Sequence, residues 1–500
     1  MAALDNHILT IIEPTIKLDE VGFPSYGEGE GNEKANTSQD YNVLVSINNY
    51  TFSDDAIKSM VLGIDSKIPT LELTLMDLEG LFGADTYPRD GDVVNIRLGS
   101  RQKETYKDIR IDFDITMVNS PTSNPMDPGG RGIKYRISGK MKIPGLYADI
   151  SKAYGVGTSL DHVEQIARDL QLGLATNIDS SDDSMNLFTA YESTESTLEN
   201  LVEHSYIDDD SFQTYSIDPF YYINYVNMNM LMDSEETFED ALAALDVSMT
   251  DMQTSVDADD SNNMKAPLLL SNHRRYMGTS MHVSAFSLKN NAGSNLKKNG
   301  YKKTLKFFEN DSDEGLVSFD VEPLTSKKMD DIAEPLKGRR GEDRYKIETK
   351  TVYMGRKNAD PATSNIHLNY EFSEIHNKQN LDELKKMTLE IELATINPAI
   401  HRYQKIPVII FKEHADDIAA DKVLKDKKNE QGFDTGDEQT EEIPQAGTVV
   451  ADEFLSGYYV VGAIQYIYKA NYPSVAQKIT LLRREWPSRV NNINTDTVAS

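Results

Sequence analysis

Along Thr70–Met76 leucine alternates with polar residues: Leu71, Leu73 and Leu75 fall on one side of an extended chain, Thr70, Glu72 and Thr74 on the other. A period of two marks a strand with one buried and one wet face, and it is incompatible with a helix. The pattern returns at Ile109–Met117, where Ile109, Ile111, Phe113, Ile115 and Met117 oppose Arg110, Asp112, Asp114 and Thr116. Asn42–Ile47 alternates too. Val93–Leu98 follows a turn signal at Arg89-Asp-Gly-Asp, and Lys134–Gly139 follows a Pro/Gly-rich connection. Five or six antiparallel strands are expected between about 40 and 145. Closure removes exposed strand edges, which argues for a barrel or sandwich.

Past residue 150 the period becomes helical. Thr158 with Asp161 reads as an N-cap, and Leu160, Val163, Ile166, Ala167 and Leu170 form an apolar stripe ended by Gly173. A second helix is expected to start near Ser196, with Glu199 three residues on, and to bury Leu198, Leu201 and Val202. With strand-like runs at Leu172–Thr176 and Met185–Phe188, this is a small α/β module. The tyrosine-rich run Phe212–Val226 reads as strand packing rather than a ligand-stacking platform. Asp233–Met264 is an acidic, partly helical excursion. Further strands are expected at His282–Leu288, Thr304–Phe308, Leu316–Val321 and Tyr345–Val352.

The C-terminal part repeats the N-terminal pattern. Met387–Leu393, Lys405–Phe411, Gly457–Tyr468 and Gln477–Arg484 follow one another as Thr70–Met76, Val93–Leu98, Ile109–Met117 and Lys134–Gly139 do. The match lies in pattern and not in residue identity, and a charged excursion at 413–453 interrupts the second copy.

Charge is spread unevenly. The formal net charge is −30 over 500 residues, and Asp169–Met264 contains no lysine or arginine but 22 Asp or Glu. Such a block repels phosphate, which argues against nucleic-acid binding through it, and suits docking on a basic partner. Basic residues return after Lys265, as Arg274, Arg275, Lys297, Lys298, Lys302, Lys303, Arg339 and Arg340, and read as a solvated face. The chain has no cysteine, which excludes disulfides and thiolate chemistry. No stretch approaches the roughly 18 apolar residues of a membrane span, and the first residues lack a signal-peptide pattern.

No chemistry stands out. The nine histidines form no His-Glu-x-x-His and no pair at metal-ligand spacing; there is no Gly-x-Ser-x-Gly elbow and no phosphate loop. The glycines of Tyr26-Gly-Glu-Gly-Glu-Gly-Asn follow no strand and open no helix. Asp208-Asp-Asp and Asp257-Ala-Asp-Asp lack the calcium-loop pattern and read as solvated acidic loops. The expectation is a non-enzyme with no catalytic, cofactor-binding or metal residue, its partner-binding residues unassigned.

Several segments carry a resemblance. His367-Leu-Asn-Tyr, Asn380-Leu-Asp-Glu-Leu-Lys-Lys-Met-Thr-Leu-Glu-Ile-Glu-Leu, Asn397-Pro, Arg402-Tyr-Gln-Lys-Ile-Pro-Val-Ile-Ile-Phe and Ser456-Gly-Tyr-Tyr-Val-Val resemble the C-terminal half of the baseplate hub proteins of contractile-tailed phages. Tyr154-x-x-Gly-Thr-Ser-Leu, Gln165-Ile-Ala-Arg-Asp-Leu-Gln-Leu-Gly and Ser205-Tyr-Ile-Asp-Asp-Asp-Ser-Phe resemble the same family's small α/β module. The likeness covers about three quarters of the chain, in order.

The resemblance implies a mainly β (α+β) fold. The parts expected are a first tube-type β-barrel (39–148) and the α/β module (149–211), with an N-terminal arm (1–38) and a strand plus acidic excursion (212–265) that are read from the residues; the arm, the acidic stretch after Met228 and the 413–453 excursion do not match the family pattern. A β-rich inserted domain (266–376), a second tube-type barrel (377–490) and a tail (491–500) follow. It implies a homotrimer that continues the tail tube and seats the trimeric spike, so that a threefold spike meets a sixfold tube. The partners implied are the spike, a hexameric tube or tube-initiator protein, wedge proteins and the tape measure. DNA would meet the chain only in transit through an acidic pore, and no stable membrane binding is implied. The location implied is the virion tail baseplate, assembled in the host bacterial cytoplasm, and the chain would be a late protein. Three other readings stay open: the equivalent hub of a phage-derived contractile injection system, a tail-associated cell-wall hydrolase, and an acidic calcium-binding surface protein.

Overall fold

A computed structural model describes residues 8–18, 41–48, 50–53, 55–77, 87–89, 91–100, 108–119, 133–232, 269–273, 276–277, 279–290, 303–308, 316–321, 348–353, 365–393, 395–411, 451–452, 454–470 and 475–483. The fold is mainly β. The N-terminal strands are β1 (Leu9–Ile12), β2 (Tyr41–Ile47), β3 (Tyr50–Thr51), β4 (Ile57–Ile64), β5 (Thr70–Asp77), β6 (Val93–Ser100), β7 (Ile109–Asn119) and β8 (Ile133–Met141). A mixed segment follows, with β9 (Asp149–Gly157), α1 (Ser159–Asp169), β10 (Gly173–Thr176), β11 (Met185–Ser193), α2 (Thr194–Glu203), β12 (Gln213–Ile217), β13 (Tyr222–Asn227) and α3 (Met228–Met232). The C-terminal elements are β14 (Leu270–Ser271), β15 (Val283–Asn290), β16 (Lys303–Phe308), β17 (Leu316–Val321), β18 (Glu348–Tyr353), α4 (Tyr370–Leu384), β19 (Met387–Leu393), β20 (Lys405–Ile409), β21 (Gly457–Lys469) and β22 (Ala476–Leu482).

Thirteen strands from both ends of the chain form one sheet. Its order is β15-β19-β22-β21-β4-β5-β8-β7-β6-β2-β3, with β20 paired to β21 and β14 to β20. Alternation decides what each strand buries: Leu71, Leu73 and Leu75 of β5 are inside, as are Ile109, Ile111 and Phe113 of β7. The five-residue apolar face expected on β7 breaks off early. A bulge between Ile115 and Met117 inserts Thr116 and re-aims the chain, leaving Met117 55% exposed.

The mixed segment builds a four-stranded sheet, β1-β10-β13-β12, beside a two-stranded sheet of β9 and β11. The first 38 residues are not all arm, because Leu9–Ile12 pairs antiparallel with β10. Helix α1 has the expected capping box of Thr158 and Asp161, but it ends at Leu170, and Gln171, not Gly173, takes the left-handed conformation (φ 59°). Helix α2 starts at Thr194, near the expected Ser196, where the Ser193 hydroxyl accepts the Ser196 N–H at 3.2 Å. Gly173 instead opens β10, where chains crowd together. A Cβ there would lie 2.4 Å from Tyr222 Cδ1 and 2.9 Å from the Ile12 carbonyl oxygen.

Two further differences concern the C-terminal half. The stretch 266–376, expected as one inserted unit, gives Leu270–Ser271 and Val283–Asn290 to the large sheet; only β17-β16-β18 form a sheet apart. Helix α4 lies where no helix is expected. Asp233–Met264 and most of the 413–453 excursion lie outside the described residues.

Gly173→Ala should lower stability by about 1–3 kcal/mol, the cost of overpacking. Denaturant unfolding measures it, and limited proteolysis should show faster cleavage near Leu9–Ile12.

Candidate assembly surfaces

The two halves of the sheet meet at one joint. β21 is a 13-residue strand whose first part, Gly457–Val460, pairs with β20, and whose last part, Ile464–Lys469, pairs with β4 along the same edge. Its other edge is taken by β22. The change of partner falls at a bulge between Val461 and Ala463. Gly462 occupies it, and a Cβ there would stand 2.7 Å from Leu482 Cγ. Met60 and Leu62 on β4 are wholly buried, and Ile64 nearly so. Outside the ladder, Gln465 Nε2 donates to Asp65 Oδ2 at 2.8 Å, and Arg402 donates to the Ser66 carbonyl.

Strand order and register repeat across this joint. β4-β5-β8-β7-β6 in one half corresponds to β15-β19-β22-β21-β20 in the other, with every neighbour antiparallel in both. The bulge at Thr116 in β7 answers the bulge at Gly462 in β21. Each falls just past the last partner in β6 or β20, Asp114 opposite Val93 and Val460 opposite Lys405. Ile115 N–H then reaches the Asp92 carbonyl at 3.4 Å, as Val461 N–H reaches that of Gln404 at 2.9 Å. Residue correspondence fixed at this bulge can be carried strand by strand: Gly139 answers Leu481, Leu71 answers Leu389, and Leu62 answers Leu288. That assignment places Lys58 on Ser284, and both strands do bulge there, between Ile57 and Ser59 and between Val283 and Ala285. The last step differs: β2 is antiparallel to β6, whereas β14 is parallel to β20.

The α/β module is oriented by charge and held by α4 and an apolar cluster. Lys67, in the turn after β4, contacts Glu199 at 2.5 Å and Glu203 at 3.4 Å; Lys140 contacts Glu195, Lys152 contacts Asp169, and Lys378 of α4 contacts Glu203 at 2.9 Å. Carboxylates of the block without basic residues are thus met by lysines from outside it. Asn377 of α4 donates through its amide to the carbonyls of Glu203 and Ser205 at 3.0 and 3.1 Å, satisfying acceptors at the end of α2, and accepts from Gln213 N–H. Phe212, Val226, Leu231, Leu384, Tyr403, Val460 and Leu482 form an apolar cluster where module, α4 and the second half meet.

His204 and His376 sit in this packing, and His162 lies inside the module on α1. His204 stacks on Tyr370 at 3.6 Å and donates from Nδ1 to its carbonyl; His376 stacks on Phe372. Burial pulls both imidazoles below their ordinary range. The Tyr370 carbonyl opposes this at His204, and Asp209, Asp210 and Asp208 oppose it at His376. Burial does the same to His162, whose Nε2 faces the Met185 carbonyl.

Exposed apolar side chains lie on several elements, among them β1 (Leu9, Ile11), the end of β7 (Met117) with the start of β8 (Ile133), the β9–β11 sheet (Val156, Phe188, Tyr191), and β15 (Phe286, Leu288). The expectation of no catalytic, cofactor or metal residues has no site to be compared with. Among the described residues no group of three or more His, Asp or Glu is placed to hold a metal ion, and no helix is long and apolar enough to cross a membrane. Asp208–Asp210 lie exposed in the loop after α2, where Tyr206 Oη donates to Asp209 at 2.9 Å. Sequence reasoning missed β4 and α4, on which these surfaces depend.

No family model matches the sequence, and no curated protein matches it. Solved structures match at low identity. The tail protein from Neisseria meningitidis MC58 is 8% identical with a TM-score of 0.43, covering 89% of this chain and 97% of that one. The 43 kDa tail protein of prophage MuSo2 from Shewanella oneidensis is 9% identical with a TM-score of 0.45, covering 89% and 98%. The E. coli c3393 protein, a component of the type VI secretion system, is 8% identical with a TM-score of 0.34, covering 90% and 76%.

Leu62→Ala should cost about 2–5 kcal/mol by chemical denaturation, because a wholly buried seam residue leaves a cavity. For the histidines, the folded pKa lies below the unfolded value of about 6.5, so the unfolded chain binds more protons between the two. Their contribution is complete above about pH 6.5 and is lost as pH falls through the folded values. Thermal melting should show stability declining as pH falls below about 6.5, with a shallower slope in His376→Gln.

Proposed function

We propose that the chain is a non-catalytic structural protein of a contractile phage tail: the central baseplate hub, with its two halves forming related β-barrels of tail-tube type. The observation that carries this reading is the repeat of strand order together with two bulges at corresponding positions. A chain holding two copies of one unit, present three times, offers six quasi-equivalent units around an axis. That is the arrangement needed where a threefold spike meets a sixfold tube. The segments resembling baseplate hubs include β19, β20 and the start of β21, which belong to the second copy, and α1 and the loop after α2, which belong to the module.

In this role the partners are two further copies of the chain, the trimeric spike below, a hexameric tube or tube-initiator protein above, and wedge proteins and the tape measure. DNA crosses the pore in transit, and carboxylates along such a path keep it from adhering. Asp179, Asp182 and Asp208–Asp210 are exposed candidates for that lining. The protein works in the tail baseplate of the virion after assembly in the bacterial cytoplasm.

Solution mass with negative-stain imaging tests the proposal. A particle of three 56.1 kDa chains, ring-shaped with threefold symmetry and a central hole, is the expected result. A compact monomer at high concentration contradicts it.

A further inference from the structure

We infer that α4 is an acid-released strap: His204, His367 and His376 fasten it to the module while their imidazoles are neutral, and charging them lifts the helix away while the sheets stay folded. The strap needs no partner and does not depend on the tail role proposed above.

Bonding fixes the charge of His367, in the turn that leads into α4. Its Nε2 faces the His204 carbonyl at 2.7 Å, and a carbonyl only accepts, so Nε2 carries a proton. Its Nδ1 lies 3.2 Å from the Asn369 backbone nitrogen, whose N–H only donates, so Nδ1 carries none. A second proton on this ring breaks the bond to Asn369 and sets a charge against His204. From the other side His204, which ends α2, donates from Nδ1 to the Tyr370 carbonyl at 2.9 Å and stacks on the Tyr370 ring. The carboxylates facing His204 are Glu203 of α2 and Glu374 of α4, and Lys378 already bonds both, at 2.9 and 3.0 Å. Lys67 draws on Glu203 as well, at 3.4 Å. A charged His204 therefore competes with two ammonium groups for the same carboxylates.

His376 fastens the middle of the helix. It is hydrogen-bonded to the backbone of Ser211 and faces Asp208, Asp209 and Asp210 in the loop after α2. These aspartates are exposed and engaged within their own loop. Asp208 accepts the N–H groups of Asp210 and Ser211 at 3.0 and 2.7 Å, and Asp209 accepts the Tyr206 hydroxyl. Burial outweighs the facing carboxylates at both His204 and His376.

Little apolar burial stands behind these contacts. The buried side chains described on α4 are Ser373, His376, Asn377, Asn380 and Leu384, four polar and one apolar. β5 and β8 bury Leu71, Leu73, Leu75, Tyr135 and Ile137 between them. Segments with few buried apolar contacts open before the rest of a fold. An opened helix returns its histidines to about 6.5, above their closed values, so between the two the open form binds more protons. Opening then rises as pH falls, by about tenfold per pH unit for each histidine charged. It uncovers the Glu203 and Ser205 carbonyls that the Asn377 amide caps.

Amide exchange of the full chain, read by mass spectrometry and corrected for its intrinsic pH dependence, tests the strap as pH is lowered from about 7.5 through 6.5 and below. Protection over Tyr370–Leu384 should fall by at least about tenfold per pH unit, while the β5–β8 and β21–β22 ladders keep theirs. Protection of α4 that does not change, or that is lost only together with the ladders, would overturn the inference without any variant. His204→Asn, His367→Gln and His376→Gln, made singly and together, place amides that donate but take up no proton. Each should remove about one tenfold step per pH unit from the slope, and the three together should flatten it. A slope in the triple variant as steep as the parent's would also overturn the inference.

Discussion

The antiparallel pairing of β21 with β4 is the constraint on which the rest of this molecule hangs. Residues more than 390 apart in the sequence make a six-pair ladder from Ile464 opposite Ile64 to Lys469 opposite Ser59. It fuses the sheets of both halves into one, and it lets a single strand belong to β20 at its start and to β4 at its end. A strand can change partners along one edge only where it bends. The bulge at Gly462 supplies the bend, and glycine fits there because Leu482 leaves no room for a side chain. Contacts of such sequence separation form late, since loop closure must precede them. Apolar burial at Met60, Leu62 and Ile64 then stabilises the joint by roughly 1.5–3 kcal/mol per side chain.

The module depends on that joint through the turn that follows β4. Lys67 reaches Glu199 and Glu203 from this turn, its backbone carbonyl accepts the Ile217 N–H at 2.7 Å, and its ammonium lies over the Tyr215 ring. Exposed ion pairs contribute at most about 1 kcal/mol each, so these orient the module more than they hold it. Holding falls to the apolar cluster around Phe212 and Leu231 and to the amide of Asn377. The acidity of Asp169–Met264 thus serves several ends within its described part, the buried Asp183 carboxylate accepting the N–H groups of Ser159 and Tyr206 at 2.9 Å. Asp169, Glu195, Glu199 and Glu203 face lysines, while Asp179, Asp182 and Asp208–Asp210 face outward.

What could be read in the sequence follows from what each element buries. β5, β7 and β19 bury one face and show a period of two, so Leu71-Glu-Leu-Thr-Leu and Leu389-Glu-Ile-Glu-Leu announce themselves. β4 does not. Its Ile57-Lys-Ser-Met-Val-Leu-Gly-Ile is bulged at Lys58, its last three residues are all buried, and central strands covered on both sides lose alternation. Helix α4 escapes for a different reason. It buries Ser373, His376, Asn377, Asn380 and Leu384, a helical spacing of mostly polar residues that no hydrophobic period reveals. β15 reads as a strand, yet nothing local says that it joins a sheet built from residues 100 and 200 positions away. The repeat was visible as an order of strands; the matching bulges, which give it a register, exist only in the folded backbone.

Native-state amide exchange across the joint tests this account most directly. If the two halves are one sheet, the amides of Ser59–Ile64 and Ile464–Lys469 should share the protection of the β5–β8 and β21–β22 ladders and open only with them. Fast exchange at both segments, with protection retained elsewhere in each half, would show two separate units and contradict the account.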